Sequence, residues 1–209
     1  GFITLQRFRI SLMSITTTIP SNELIGSQIN EFANIERTKL ATESKKVNIP
    51  LELVRVHDAF QTNLPTTAAS DDLGLIIGTF GTDAVVVQSS DGKATTITQY
   101  GRFHFRLPDN YVDGGTISIA AHAGMKTTIS DTTATIDFQA YKKDTATGLV
   151  GSDLVTTSAT TINSLTAAAK EFVITPTGLV NGDELDIRVV IAITDGATAT
   201  AVIGRIMKL

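Results

Sequence analysis

The chain of 209 residues contains no cysteine, no tryptophan and only three tyrosines. The absence of cysteine excludes disulfide bonds, thiolate zinc centres and cysteine nucleophiles. Carbohydrate sites commonly present a flat aromatic face to a sugar ring, so the scarcity of tryptophan and tyrosine disfavours that class of function. The stability of the fold must therefore come from packing and from assembly.

Charged residues are also sparse, at 18% of the chain, and the net charge is −4. A duplex-binding domain is expected to be basic, so no nucleic-acid partner is predicted. Residues 1–55 carry seven Lys or Arg against five Glu, an excess more typical of a solvated surface than of a nucleic-acid-binding arm. No run approaches the roughly 18 apolar residues of a membrane span, and arginines interrupt the opening stretch, so neither a membrane helix nor a secretory signal is predicted.

From about residue 96 onward, apolar and polar side chains alternate with a period of two, which is typical of strands that bury one face. The stretch RFHFRL places Phe103, Phe105 and Leu107 on one face, and TISIAAHAG and ATIDFQAY repeat the pattern. The stretch ELDIRVVIAIT is predicted to be a central strand, because it carries an uninterrupted apolar row of Leu185, Ile187, Val189, Ile191 and Ile193.

Turn-forming residues punctuate these segments at LPDNYVDGG, KKDTATGLVGSD, TPTGLVNGDE and TDGAT. EFVIT and the final TATAVIGRIMKL add further strands. Upstream, VNIPLELVRVHDAF is predicted to be one strand and LGLIIGTFGTDAVVVQ one or two. Seven or eight strands at this spacing predict an all-β fold, an antiparallel β-sandwich of jelly-roll type over residues 49–209.

Residues 1–48 differ in pattern and are predicted to form an N-terminal extension. Apolar residues share a helical face after a candidate cap at Ser21 or Asn22, so a helix over residues 22–40 is one prediction. Gly26 disfavours the helix, and an extended arm that gains structure on a neighbour is the alternative. The first 20 residues are too apolar for a free tail, which predicts intersubunit contacts through Phe2, Ile3, Leu5, Phe8, Ile10 and Leu12.

Two of the three histidines, His104 and His122, lie on the polar faces of neighbouring predicted strands. If those strands pair antiparallel, both rings approach Asp137, as in a metal site with histidine and carboxylate ligands. No H-x-H or H-E-x-x-H spacing occurs, however, and His57 lies in a distant segment. Exposed or interface histidines are therefore the favoured interpretation, and no metal ligand is predicted.

Acidic turns are the other candidate for a cation site. Asp109 and Asp113 lie near glycines in DNYVDGG, and Asp71 and Asp72 do so in ASDDLG. Calcium prefers such oxygen-rich loops, but the D-x-D-x-D-G pattern is absent. Aspartates that form turns are favoured, and a calcium site stays the alternative.

Catalytic motifs are missing as well. There is no G-x-S-x-G, no spacing that ties serine, histidine and aspartate into a triad, and no lysine in the glycine-containing GTFGTD. The chain is therefore predicted not to be an enzyme, with no catalytic residue and no cofactor.

Four segments carry the loop and strand patterns of one group of proteins: LVRVHDAFQTNLPTTAASDDLGLIIGTFGTD, RFHFRLPDNYVDGGTISIAAHAGMKTTISDTTATIDFQAYKKD, GSDLVTTSATTINSL and FVITPTGLVNGDELDIRVVIAITD. These segments, within about residues 50–209, resemble virion structural proteins of tailed bacteriophages. The shared patterns include no catalytic signature, so the resemblance assigns no functional residue.

The resemblance implies a capsid decoration, or cement, protein: a β-sandwich on the capsid exterior that locks neighbouring capsomers together. It implies the major capsid protein as a partner and self-association as a dimer or trimer. The alternative is a receptor- or glycan-binding module of a head or tail fibre, which uses the same kind of sandwich. The heptads and internal repeats that usually accompany fibres are not seen.

Overall fold

A computed structural model describes residues 46–127, 133–144, 146, 148–196 and 201–209. The predicted helix over residues 22–40 and the predicted arm contacts of Phe2, Ile3, Leu5, Phe8, Ile10 and Leu12 lie outside these residues. Val47–Leu209 form one compact unit.

The regular secondary structure of the described residues is nearly all β-strand. One 3₁₀ turn, Leu51–Leu53, precedes ten strands. Every strand pairs antiparallel with its neighbours. In chain order the strands are β1 (Gly74–Ile76), β2 (Val86–Gln88), β3 (Thr96–Arg106), β4 (Ile117–Thr127), β5 (Thr133–Asp144), β6 (Gly148–Val150), β7 (Thr160–Thr161), β8 (Ala168–Ile174), β9 (Glu184–Thr194) and β10 (Ile203–Lys208).

The strands form two sheets. The first sheet has the order β1-β2-β10-β4-β8, and the second has the order β3-β9-β5-β6, with the short β7 also paired to β5. The expectation of an all-β fold with antiparallel sheets is confirmed, and the arrangement is compatible with a β-sandwich.

The predicted central strand is central. β9 lies between β3 and β5, and its apolar row is fully buried. Alternation along β5 is also as predicted, since Ala134, Ile136, Phe138 and Ala140 are buried between more exposed neighbours. A period of two in the sequence therefore identified the buried face of both strands.

An aromatic contact joins the two sheets. Phe138 of β5 and Phe172 of β8 are both buried, and their ring centroids lie 4.8 Å apart with the planes tilted by 57°. A tilted pair at this distance is a favourable arrangement of two aromatic rings. The two sheets thus share one apolar core, to which each contributes a phenylalanine.

The prediction of a strand over VNIPLELVRVHDAF is wrong. This segment forms the 3₁₀ turn and then pairs at a single residue, Arg55. Pro50 has no N–H to give to a ladder, and the chain reverses where Thr62 N–H donates to the Ala59 carbonyl. Downstream, LGLIIGTFGTDAVVVQ does form two strands, β1 and β2, as expected.

Irregular segments meet the outer strands of the first sheet. Beside β1, the Leu75 N–H donates to the Pro65 carbonyl at 2.8 Å. Beside β8, the Thr156 N–H donates to the Val173 carbonyl at 2.9 Å. Both outer strands therefore direct backbone groups to hydrogen bonds within the chain.

The turn before β9 is held by a carboxylate. Asp183 Oδ2 accepts the Val180 N–H at 2.8 Å and contacts Lys142 Nζ at 2.7 Å. Burial acts to raise the pKa of Asp183, but the hydrogen bonds from Lys142 and the Val180 N–H outweigh it and hold the pKa below its ordinary value. The ionised form of Asp183 therefore stabilises this corner.

Replacing the buried ring of Phe172 tests the shared core. Phe172→Ala is expected to lower the free energy of unfolding by about 3–5 kcal/mol, because it removes apolar contacts and leaves a cavity. Denaturant unfolding followed by circular dichroism measures the change. The control is Phe80→Ala, since Phe80 is fully exposed. This variant should change the free energy of unfolding by no more than about 0.5 kcal/mol. Equal losses for the two variants would contradict the shared core.

Asp183→Asn tests the turn. At pH 7 the variant is expected to lose about 1 kcal/mol of unfolding free energy, because the hydrogen bond to a charged acceptor is weakened. A carboxyl with a lowered folded pKa stabilises the fold above its unfolded pKa and stops doing so as the pH falls through the folded pKa. The difference between the two proteins should therefore shrink as the pH falls below the ordinary range of an aspartate carboxyl.

Asp137→Asn is the matched control for that experiment. Burial raises the pKa of Asp137, so its ionised form is disfavoured by the fold. The neutral replacement should not destabilise the protein at pH 7. Urea unfolding over a pH series from 7 into the acid range separates the two cases, and a loss of unfolding free energy in Asp137→Asn equal to that in Asp183→Asn at pH 7 would contradict this assignment.

Candidate functional site

Two irregular segments are attached to the edge of β3 that does not pair with β9. Arg55 and Arg102 exchange backbone hydrogen bonds of 2.8 and 3.0 Å. Beside them, the Tyr100 N–H donates to the Asp71 carbonyl at 2.7 Å, and the Leu73 N–H donates to the Tyr100 carbonyl at 2.9 Å. The segment after the 3₁₀ turn and the turn before β1 therefore lie side by side along this edge.

Val54 anchors the first of these segments. Its side chain is buried against Gly101 of β3, and a Cβ at Gly101 would lie only 2.6 Å from Val54 Cγ1. Glycine is thus required at position 101 for the segment to approach β3 closely.

The two segments bring together His57, Asp71 and Asp72, which we name the His57 cluster. His57 Nδ1 lies 3.4 Å from Asp72 Oδ1, and His57 Nε2 lies 3.5 Å from Asp71 Oδ2. The His57 side chain is 14% exposed, whereas Asp71 is 53% exposed. Both carboxylates thus face one imidazole at a partly open surface.

The rest of the outer face of β3 carries an ion pair. Arg102 Nε donates to Asp186 Oδ1 at 2.7 Å, and Arg102 Nη2 donates to Asp186 Oδ2. Asp186 is buried, and its hydrogen bond with the guanidinium raises the pKa of Arg102. The nearby His104 Nε2 lies 3.6 Å from Asp186 Oδ1. Asp186 is therefore compensated by a two-pronged hydrogen bond.

Aromatic rings flank this polar network. Phe60 stacks on His104 with ring centroids 4.1 Å apart, and the Arg102 guanidinium carbon lies 5.3 Å from the Phe60 ring centre. Further along, the Arg188 guanidinium carbon lies 4.8 Å above the Tyr100 ring centre. These distances are those of cation–π contacts, so the rings and the arginines hold each other in place.

The structure separates the histidines that the sequence grouped. His104 lies on β3 in the second sheet, and His122 lies on β4 in the first. The carboxylate near His104 is Asp186, whereas Asp137 pairs with Val190 on the far side of β9. The two strands do not pair, because residues 107–116 carry the chain from one sheet to the other. The condition under which both rings would approach Asp137 is therefore not met.

The acidic turns also divide into two cases. Asp109 accepts a hydrogen bond from Arg106 Nη2 at 3.1 Å, and both side chains are exposed. Asp71 and Asp72 instead converge on His57. Among the residues that the structure describes, His57, Asp71 and Asp72 are the group of three whose donor atoms all lie within 4.8 Å of one another.

Sequence reasoning missed His57 as a partner of these aspartates. His57 and Asp72 are 15 residues apart along the chain, in segments without regular periodicity. No spacing rule connects them, because their meeting depends on both segments pairing with β3. The available signal was weaker: a histidine and an acidic pair on either side of a breaker-rich stretch.

Comparison with known proteins gives no family. No protein-family model matches the chain, and no curated protein matches it. None of the helices in the described residues is long and apolar enough to cross a membrane.

A double-mutant cycle tests the Arg102–Asp186 pair. Arg102→Met is expected to lower the free energy of unfolding by about 2–3 kcal/mol, because it leaves the buried Asp186 carboxylate without its cation. The double variant, Arg102→Met with Asp186→Leu, should lose less unfolding free energy than the two single variants lose in sum. The difference should be about 1 kcal/mol or more. Urea unfolding of the four proteins gives the coupling energy, and strict additivity would contradict the pairing.

Proposed function

We propose that the chain is a virion structural protein that binds the outer surface of a capsid and cements neighbouring capsomers. The observation that carries the proposal is the order of the strands. In the first sheet β2, β10, β4 and β8 are neighbours in that order, and in the second sheet β3, β9, β5 and β6 are. This order supports assignment of the fold as a jelly roll, the eight-stranded architecture found in viral capsid proteins and lectins.

The order follows from how the chain folds on itself. Each jelly-roll sheet alternates early and late strands, and here β9 lies beside β3 while β10 lies beside β2. β1 is an additional strand at the edge of the first sheet. Because the same architecture serves many functions, the proposed role depends on the surface of the sandwich as well.

The loop between β1 and β2 supplies a candidate contact with the capsid. Phe80 at its tip is fully exposed, and nearby Ile77 is 61% exposed. Asp83 fixes the loop, since its Oδ2 accepts the Thr79 N–H at 2.9 Å and its own N–H donates to the Thr79 carbonyl at 2.9 Å. An exposed aromatic ring on a hydrogen-bonded loop is the kind of residue that anchors protein interfaces.

Repetition on a shell strengthens such a contact. A protein that also associates with itself as a dimer or trimer binds the capsid through several copies at once, so weak individual contacts hold by effective concentration. The proposal includes an N-terminal arm that contacts neighbouring subunits. Its contact residues are the apolar Phe2, Ile3, Leu5, Phe8, Ile10 and Leu12.

Copy number on the particle tests the role. Quantitative mass spectrometry of purified particles, with the major capsid protein as the internal reference, should give hundreds of copies in a simple ratio to that protein. A few to a few tens of copies would contradict the cement role and favour a receptor- or glycan-binding fibre module.

Two variants test the surfaces. Deletion of residues 1–20 and Phe80→Ala are each expected to reduce occupancy on capsids that lack the protein, because each removes apolar contact area. Val112→Ala is the matched control, since Val112 is an exposed apolar residue on a different loop. Occupancy is measured by sedimentation of capsids with bound protein, and circular dichroism checks that each variant is folded. Full occupancy after both changes would overturn the proposed contacts.

A further inference from the structure

We propose that the His57 cluster binds one divalent transition-metal cation, for which Zn²⁺ is the best fit among common cellular ions. This inference is independent of the proposed capsid role. It depends only on the convergence of His57, Asp71 and Asp72 from two segments of the chain.

The spacing of the donor atoms fits a metal of this size. Zinc bonds to imidazole nitrogen and carboxylate oxygen are about 2.0–2.2 Å, which places tetrahedral ligand atoms roughly 3.3–3.6 Å apart. His57 Nδ1 and Asp72 Oδ1 are 3.4 Å apart and form the less exposed pair. The third donor atom, from Asp71, lies within 4.8 Å of the other two, and the Asp71 side chain is half exposed, so binding requires it to turn toward the ion. Water completes the coordination.

The chemistry of the donors favours a transition metal over calcium. Calcium takes six to eight oxygen ligands, whereas imidazole nitrogen combined with carboxylates suits Zn²⁺ and its neighbours in the first transition row. Two carboxylates beside one imidazole also concentrate negative charge, which a divalent cation neutralises.

The backbone around His57 is fixed before any ion arrives. The His57 carbonyl accepts a hydrogen bond from Arg102 Nη1 at 3.2 Å. His57 also follows by two residues Arg55, whose backbone is hydrogen-bonded to β3. The Tyr100 ring packs against the imidazole with centroids 4.7 Å apart. These contacts leave the ring little freedom to turn away from the aspartates.

The turn that carries the aspartates is fixed as well. Ser70 has a φ of 52°, which is uncommon for a residue with a side chain, and its carbonyl accepts a hydrogen bond from Gln99 Nε2 at 2.9 Å. Gln99 is fully buried, and its Oε1 accepts the Ser90 N–H. A buried amide of the edge strand β3 thus sets the orientation of the turn from Ala69 to Asp72. A bound ion would tie this turn to the segment that contains His57.

Zinc binding by the full, tag-free chain tests the proposal. After chelator treatment and dialysis, isothermal titration with Zn²⁺ alone should give one saturable site per chain, and Zn²⁺ should raise the melting temperature. Ca²⁺ at the same concentrations should bind at least about tenfold more weakly. Absence of a saturable Zn²⁺ site, or tighter binding of Ca²⁺, would overturn the proposal.

Variants locate the site. His57→Gln, Asp72→Asn and Asp71→Asn should each weaken Zn²⁺ binding by about tenfold or more. Asp71→Asn is the safest for folding because Asp71 is half exposed. The matched controls are His104→Gln on the same face and Asp109→Asn in the other acidic turn, and both should bind as the parent does. Parent-like binding by Asp71→Asn and His57→Gln together would show an adventitious ion only and overturn the site.

Discussion

The pairing of β9 with β3 on one side and β5 on the other is the constraint on which the rest of the structure depends. β9 is paired along its whole length with β3 and along most of it with β5. Because side chains alternate, this register fixes two surfaces at once. One is the buried apolar row that meets the first sheet, and the other is the outer row that includes Asp186 and Arg188.

The polar network on the outer face follows from the same register. Asp186 lies opposite His104 on β3 and Tyr141 on β5, and the neighbouring Arg102 reaches it across the pair. Arg102 also pairs through its backbone with Arg55, so the ion pair and the attachment of the irregular segment share a residue. The His57 cluster is therefore positioned by the edge strand β3 even though its three side chains belong to irregular segments.

Local alternation was sufficient to predict the longer strands β3, β4, β5, β8, β9 and β10, since a period of two is a property of each segment by itself. The apolar row of β9 is the clearest case. Alternation did not predict β6, which forms inside a segment predicted to be a turn. Pairing partners were harder, because β3 and β4 are adjacent in sequence and yet belong to different sheets. Pairing between distant segments also hid the His57 cluster, since His57 and Asp72 meet only after both segments bind the edge of β3. Pro50 and a tight reversal ended the strand expected around Arg55.

The way β3 ends its sheet limits how copies of this protein meet. A bare outer strand invites a second chain to continue the ladder, which leads to fibres at high local concentration. Here the outer backbone groups of β3 are already hydrogen-bonded to Arg55, Asp71 and Leu73. Backbone groups of β1 and β8 are hydrogen-bonded in the same way to Pro65 and Thr156. Backbone pairing of another chain with these edges is therefore suppressed, and with it open-ended growth of the ladder.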